Sequence, residues 1–337
     1  MNDKRTRYSV IIPVYNRIGE VRDLLRSLEK QSAGNFEVII VEDGSTEPCR
    51  EAVEEAATGG LDVRYFYKEN EGRSIARNHG IEKARGDYFI FFDSDCIIPP
   101  TYFETLDREL GRHQLDCFGG PDAAHESFSD TQKAINYSMT SFLTTGGIRG
   151  GKIQLEKFVP RTFNMGFSRK VYENVGGFRE MFSEDIDMST RIRRAGFAIG
   201  LIRSVAVWHK RRMDLKKFLR QVYVFGMSRI TLKLLYPDSL KLVHCLPAVS
   251  VIGCSLLTAL GILVSPWFFA PIAIYFVLIF LCALISTKRI KIAAISVPAS
   301  AIQLGGYGCG FIKAYFTKII LGRGRDLSEE IEIRKGK

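Results

Sequence analysis

Cysteine is scarce in this sequence: seven residues, an odd number, with no CxxC pair and no Cys/His spacing suited to zinc. That excludes a disulfide framework or a structural zinc site as the source of order. Cys49, Cys96 and Cys117 read as reduced thiols, and Cys245, Cys254, Cys282 and Cys309 lie in apolar segments, where cysteine acts as a small hydrophobe. The opening Met1-Asn2-Asp3-Lys4-Arg5 runs into a β-like segment without a signal-peptide h-region or cleavage site. The N-terminal part is therefore expected to stay in the cytosol. No RNA- or DNA-binding signature is present, so nucleic acid does not explain the formal net charge of +10. An acidic membrane face or phosphorylated small molecules do so more economically.

What is present divides in two. Hydrophobic residues make up 46% of the 337 and charged residues 25%, but the charges crowd into the first two-thirds, and 240–312 is almost wholly apolar. In the first part, apolar runs at 9–14, 36–41, 63–67 and 88–92 predict strands. Helical spacing at 21–28, 47–57 and 74–84 falls between them. Alternation with short connections predicts an α/β fold built on a mostly parallel sheet. Ligands bind beyond the carboxyl ends of such strands. Three polar clusters sit at those ends: Pro13-Val14-Tyr15-Asn16, Glu42-Asp43-Gly44-Ser45 and Asp93-Ser94-Asp95.

After a domain expected over 1–212, residues 213–240 mix apolar and basic side chains and predict an amphipathic interfacial helix. Within 241–314, the stretches 243–264, 267–285 and 292–312 each approach the ~20 apolar residues that cross a ~30 Å hydrocarbon core. Lys288, Arg289 and Lys291 mark the loop before the third stretch as cytoplasmic. Three crossings would put the basic tail, 315–337, outside, against that trend. A re-entrant third segment would keep it inside. Three crossings are the expectation here, and Gly305, Gly306, Gly308 and Gly310 would allow close packing against a partner.

Two carboxylates two positions apart on an extended chain, Asp93 and Asp95, point toward one cation, and Mg²⁺ or Mn²⁺ takes such ligands together with substrate phosphates. Glu42 and Asp43 could accept hydrogen bonds from a base or a ribose. Tyr15 could stack on a base.

The ordered series Ser9-Val10-Ile11-Ile12-Pro13-Val14-Tyr15-Asn16, Val41-Glu42-Asp43-Gly44-Ser45, Glu71-Gly72-Arg73-Ser74-Ile75-Ala76-Arg77-Asn78-His79-Gly80, Phe91-Phe92-Asp93-Ser94-Asp95, and Gly176-Gly177-Phe178 with Glu184-Asp185-Ile186-Asp187 resembles glycosyltransferase family 2 over about the first two-thirds of the chain. The resemblance implies a GT-A fold followed by a helical membrane region, a nucleotide-diphosphate sugar as donor, and inversion at the anomeric carbon. By position it puts Pro13, Val14 and Tyr15 around the base and Glu42 and Asp43 on the nucleoside. Arg73 and Asn78 fall near the donor, with Asp93 on the donor and the metal. Asp95 becomes the direct metal ligand, with His209 as a further candidate, and Asp185 the catalytic base. Glu184, Asn164 and Met165 fall on the acceptor side, and Asp187 is left as a structural or orienting group. Glu42 stands where many members carry Asp. The expected protein is a multi-pass enzyme of the inner membrane with a cytoplasmic catalytic domain. Its acceptor would be a lipid-linked oligosaccharide or polyprenyl phosphate in cell-envelope or polysaccharide assembly. A processive synthase would be expected to carry a QxxRW motif and more spans, and neither is found. A non-catalytic scaffold would not need both aspartates of the Asp93-Ser94-Asp95 cluster.

Overall fold

The computed structural model describes residues 7–123, 129–145, 158–209 and 214–323. The basic run Lys210-Arg211-Arg212 and the tail after 323 lie outside them. The chain forms two compact units, one from 1–126 and 158–210, the other from 127–157 and 211–337.

In chain order the first unit begins with β1 (Tyr8–Val14), α1 (Ile18–Leu28), β2 (Phe36–Asp43), α2 (Arg50–Thr58), β3 (Val63–Lys68), α3 (Arg73–Lys83) and β4 (Tyr88–Phe92). It continues with β5 (Cys96–Ile97), α4 (Tyr102–His113), β6 (Cys117–Gly119) and β7 (Asp122–Ala123). The chain then leaves the sheet for α5 (Asp130–Thr140) and α6 (Phe142–Thr145), which belong to the second unit. It returns for β8 (Asn164–Ser168), α7 (Arg169–Val175), α8 (Glu184–Arg194), β9 (Ile199–Leu201) and β10 (Val207–His209). Seven strands stand in the order β3-β2-β1-β4-β8-β6-β9, and β5-β10-β7 form a small second sheet. The first four strands of the large sheet are mutually parallel, and β8 runs antiparallel to both its neighbours.

Helices cover both faces of this sheet, so β2 and β4 are buried along their whole length, and 38–41 and 88–92 read as apolar runs. Each strand sends alternate side chains to opposite cores. Val10, Ile12, Val38 and Ile40 join one cluster, and Ile11, Ile39, Phe89 and Phe91 the other. Burial pushes the Cys49 and Cys117 thiols far above their usual range, which leaves both protonated.

One charge sits in the interior of the strand. Glu37, fully buried in β2, accepts from Ser9 Oγ at 2.7 Å, the Arg85 amide at 2.6 Å, Arg85 Nε at 2.9 Å and Arg64 Nη2 at 2.5 Å. Burial alone would push its carboxyl up, but these donors outweigh burial and hold it below the usual carboxylate range.

The second unit holds α5, α6, α9 (Leu215–Leu235), α10 (Leu242–Leu263), α11 (Ala270–Thr287) and α12 (Ile290–Ala314). Three of its segments, Leu242–Leu263, Pro266–Thr287 and Ile290–Ile320, are long and apolar enough to cross a membrane. They are not equivalent. Only 11% of the apolar window is buried within the chain in each of the first two, against 39% in the third. Gly306 and Gly310 of α12 lie so close to α9 that a Cβ would meet Leu219 and Val222, or the Tyr223 carbonyl oxygen at 2.0 Å. Gly226 of α9 lies equally close to Tyr307, and Gly308 packs on Pro247 and Val251 of α10. The glycines expected to meet a partner are thus largely used inside the chain, and Gly305 remains open.

Between α10 and α11 the Phe269 ring packs on Gly261. At the start of α12, Arg289 and Lys291 are paired to Asp130 of α5. At its other end, Phe311 and Ala314 cluster with Leu240, Cys245 and Ala248 at the start of α10.

Replacing Glu37 with Gln should cost about 2 kcal/mol of stability at neutral pH, because it weakens charge-assisted hydrogen bonds at a fully buried site. Its depressed folded-state pKa makes this contribution complete above the unfolded value of about 4.3 and lost as pH falls through the folded value. Denaturation of parent and variant from pH 7 to pH 3 should therefore show the two converging at the acid end.

Candidate active site

The strand order fixes where a cleft can form. The chain steps from β1 outward to β2 and β3, then crosses back to place β4 on the other side of β1. That reversal opens a crevice beyond the carboxyl ends of β1 and β4. The β1–β4 ladder pairs Tyr8–Ile11 with Tyr88–Phe91 and ends before Pro13, which has no N–H to donate. Tyr15, 48% exposed, stands at this edge. Val14, expected beside it around a base, is instead a core residue at 1% exposure, because alternation along β1 turns it inward. Pro13 is half-buried.

The next loop is held from beneath. Asn16, at φ 53°, donates its amide to Ser45 Oγ at 2.7 Å and accepts from the Thr46 amide at 2.9 Å. Ser45 donates to Glu42, whose other oxygen accepts from the Cys49 amide at 2.7 Å. Glu42 is fully buried, so its carboxylate braces the loop from below. Asp43 has a similar task one step along. It accepts from Lys68 Nζ at 2.9 Å and from the amides of Glu71 and Gly72 at 3.0 and 2.8 Å. Gly72, at φ +102°, makes the turn into α3, a backbone shape that side chains rarely adopt.

Helix α3 then connects motifs that are remote in sequence. Arg77 is fully buried. Its Nη1 donates to Glu184 at 2.9 Å and its Nη2 to Asp93 at 2.9 Å. Arg73, one turn earlier, reaches the same Glu184 oxygen through Nε at 2.9 Å. Desolvation opposes the charge on Arg73, yet the attraction of Glu184, Asp93 and Asp185 outweighs it and raises its pKa. Asn78 Nδ2 donates to the Phe178 carbonyl and its Oδ1 accepts from the Phe178 amide, both at 2.8 Å. Asn78 thus fixes the Gly177-Phe178 approach to α8, where a Cβ on Gly177 would meet it at 2.4 Å. Arg77 carried no expected role, although its four-residue spacing from Arg73 puts both on one helix face.

The first turn of α8 carries Glu184, Asp185 and Asp187, where acidic groups favour the helix dipole. Their environments differ. Glu184 is 2% exposed between the two arginines, a buried link and not an acceptor-facing group. Asp187 is fully buried against Arg179 and Arg191, in the structural place expected of it. Asp185 keeps 14% of its side chain exposed and accepts from Arg161 Nη1 at 2.9 Å. No sequence signal pointed to Arg161.

Asn164 and Met165, expected on the acceptor side, are both fully buried. The Tyr102 hydroxyl donates to Asn164 Oδ1 at 2.6 Å, while Asn164 Nδ2 donates to the Val205 carbonyl at 2.7 Å. Met165 lies in the core. Both sit on β8, a strand hidden in a segment without clear periodicity.

Asp95 follows the β4 end and is partly exposed, and β10 places His209 opposite Cys96, one residue beyond it. Among the described residues no three His, Cys, Asp or Glu side chains converge on one point. Mg²⁺ or Mn²⁺ does not require such a cage, because one or two carboxylates with phosphates and water suffice. Asp93 Oδ1 accepts from Arg77 at 2.9 Å.

Residues 9–176 match the family model described as Glycosyl transferase family 2. The uncharacterized glycosyltransferase YibD of Escherichia coli is 31% identical over 208 residues, 62% of this chain and 56% of the relative. An uncharacterized glycosyltransferase of Rickettsia felis is 46% identical over 139 residues, 41% of this chain and 22% of the relative. The chain thus spans little more than half of one relative and under a quarter of the other. Among solved structures, the mannosyltransferase PcManGT of Pyrobaculum calidifontis, in complex with GDP-Man and Mn²⁺, aligns with a TM-score of 0.63 over 89% of this chain and 87% of that one. At 17% identity the likeness is one of fold. A GT-A sheet with its acidic groups gathered at the switch between β1 and β4, and a family match that runs through them, place this chain in glycosyltransferase family 2.

Proposed function

We propose that the chain is an inverting glycosyltransferase that moves a sugar from a nucleotide-diphosphate donor to an acceptor presented at a membrane. The observation that carries this reading is the Arg77 bridge, which brings Asp93, from the end of one strand, to the helix turn that bears Asp185. Tyr15 and Pro13 would receive the base, and the loop braced by Glu42 and Asp43 would receive the nucleoside. Asp93 and Asp95 would face the diphosphate. A divalent ion held by Asp95 would neutralise charge that develops on the leaving diphosphate. The reaction is one displacement. A bond forms from the acceptor oxygen to the anomeric carbon, and the bond from that carbon to the diphosphate breaks, with its electron pair leaving on the nucleoside diphosphate. Asp185, oriented by Arg161, takes the proton of an acceptor hydroxyl. An acceptor phosphate is already ionised and needs no such base.

Release of nucleoside diphosphate from UDP-, GDP- and dTDP-sugars with Mn²⁺ or Mg²⁺ tests this. Asp95→Asn should abolish turnover, and Asp185→Asn should slow it roughly 10²–10⁴-fold with a hydroxyl acceptor. An unimpaired Asp185→Asn enzyme would assign a phosphate acceptor, and pyrophosphate release would refute glycosyl transfer. Arg77→Lys replaces a planar fork by a point charge that cannot serve both carboxylates. It should cost about 3 kcal/mol or more in thermal or denaturant melts, as breaking a buried pair does.

For the membrane region, we propose that α10 and α11 cross the inner membrane as a hairpin whose open end, with Lys288, Arg289 and Lys291, is cytosolic. On this reading α12 returns to the same side, so the basic tail obeys the positive-inside trend that three crossings would break. Reporters fused at the two termini should both be active in the cytosol. A tail reporter active only outside would restore the third crossing.

A further inference from the structure

The interface of α9 and α12 closes along the Gly226, Gly306 and Gly310 seam but opens beside it into a cavity of about 730 Å³. Its rim is the first turns of α9, which bring Lys216, Lys217 and Arg220, all exposed, to one side. Its floor is different in kind: Leu219 and Tyr223 of α9 and the Gly305, Gly306 and Cys309 backbone of α12. Asp214 also lines it: its carboxylate accepts from the Lys217 amide at 2.7 Å as the helix N-cap and lies 3.8 Å from Lys217 Nζ, so three cations against one carboxylate leave the rim positive. Small residues keep the floor open, for a Cβ on Gly305 would meet nothing within 4 Å.

A cationic rim above an apolar floor matches a molecule with an anionic head and hydrocarbon behind it. We infer that this groove holds one anionic phospholipid, its phosphate against Lys216, Lys217 and Arg220 and the upper part of its chains along Gly305 and Cys309. Free phosphate would gain nothing from the floor, and a zwitterionic lipid would gain little from the rim, since each cation near a lipid phosphate contributes about 1 kcal/mol. The inference rests on the proposed membrane placement of this unit and not on the transferase chemistry. The terminal reporters test that placement independently of what the groove holds.

The experiment is lipid titration of the purified full chain in detergent, read by native mass spectrometry and thermal melting. The probes are phosphatidylglycerol, phosphatidylcholine and inorganic phosphate. One phosphatidylglycerol should be retained per chain and raise the melting temperature, with little effect from the other two. Joint replacement K216A, K217A and R220A should weaken retention about a hundredfold. Gly305→Leu changes no charge but fills the groove, and should weaken retention at least tenfold while the lipid-free melting temperature holds. Should that variant melt early on its own, Cys309→Phe fills the same space from an exposed position. Equal retention by parent and groove-filled chains would overturn the inference, because it would reduce binding to diffuse surface charge. Equal shifts with phosphatidylcholine or with phosphate alone would overturn it as well.

Discussion

A guanidinium with no access to water is costly unless its charge is answered on the spot. Arg77 is answered twice, by Asp93 and by Glu184, carboxylates more than ninety positions apart in the chain. The pairing constrains everything around it. For Arg77 to reach both, α3 must start where Asp43 holds the Glu71 and Gly72 amides and lie flat on the sheet at Gly80, where a Cβ would meet Ile11 at 2.4 Å. With that position set, Asn78 holds Gly177-Phe178, α8 follows its N-cap Ser183, and Asp185 in its first turn has its charge met by Arg161. Polar groups fixed in this way need no reorganisation when a charged substrate arrives, which is how such sites stabilise developing charge.

The helical unit achieves order by other means. Its elements carry few buried charges, and α9 and α12 are joined by backbone-to-backbone approach at glycines, so dispersion replaces ion pairing. Where charge does occur it marks the ends: Asp130 meets Arg289 and Lys291, whose attraction lowers the Asp130 pKa, at the start of α12. Near the other end of this helix, Lys318 Nζ donates to Thr231 at 2.9 Å.

Much of this was legible in the residues, for definite reasons. β1 and β4 are almost wholly buried and read as apolar runs, while β3 is only half-buried and carries Arg64. Their ends carry the turn residues that disclosed the cleft. Helix α3 showed itself by spacing, but the importance of Arg77 did not, because an arginine on a helix is ordinarily a solvated one. The buried fate of Val14 follows from strand alternation beside Tyr15, a distinction that motif position alone obscures. β8 was missed because it is short, contains Gly166, and lies after a stretch lacking periodicity. That is why the burial of Asn164 and Met165, expected on the acceptor side, was not legible. For α12, hydropathy reports how much a helix avoids water, not whether lipid or another helix covers it.

Helix α5 leaves the sheet unit in mid-sequence and is buried through Ile135 and Met139 against Phe218, Val222 and Ala299. During synthesis its partner on α12 emerges some 150 residues later, roughly eight to thirty seconds at about 5–20 residues per second. Through that interval the apolar face of α5 lacks Ala299 and, for about the first half, Phe218 and Val222 of α9 as well, while the strands on either side of it can already pair. The order of events is therefore built into the chain: the sheet can close before the helices assemble, and the last helix made is the one that gives an early helix its place.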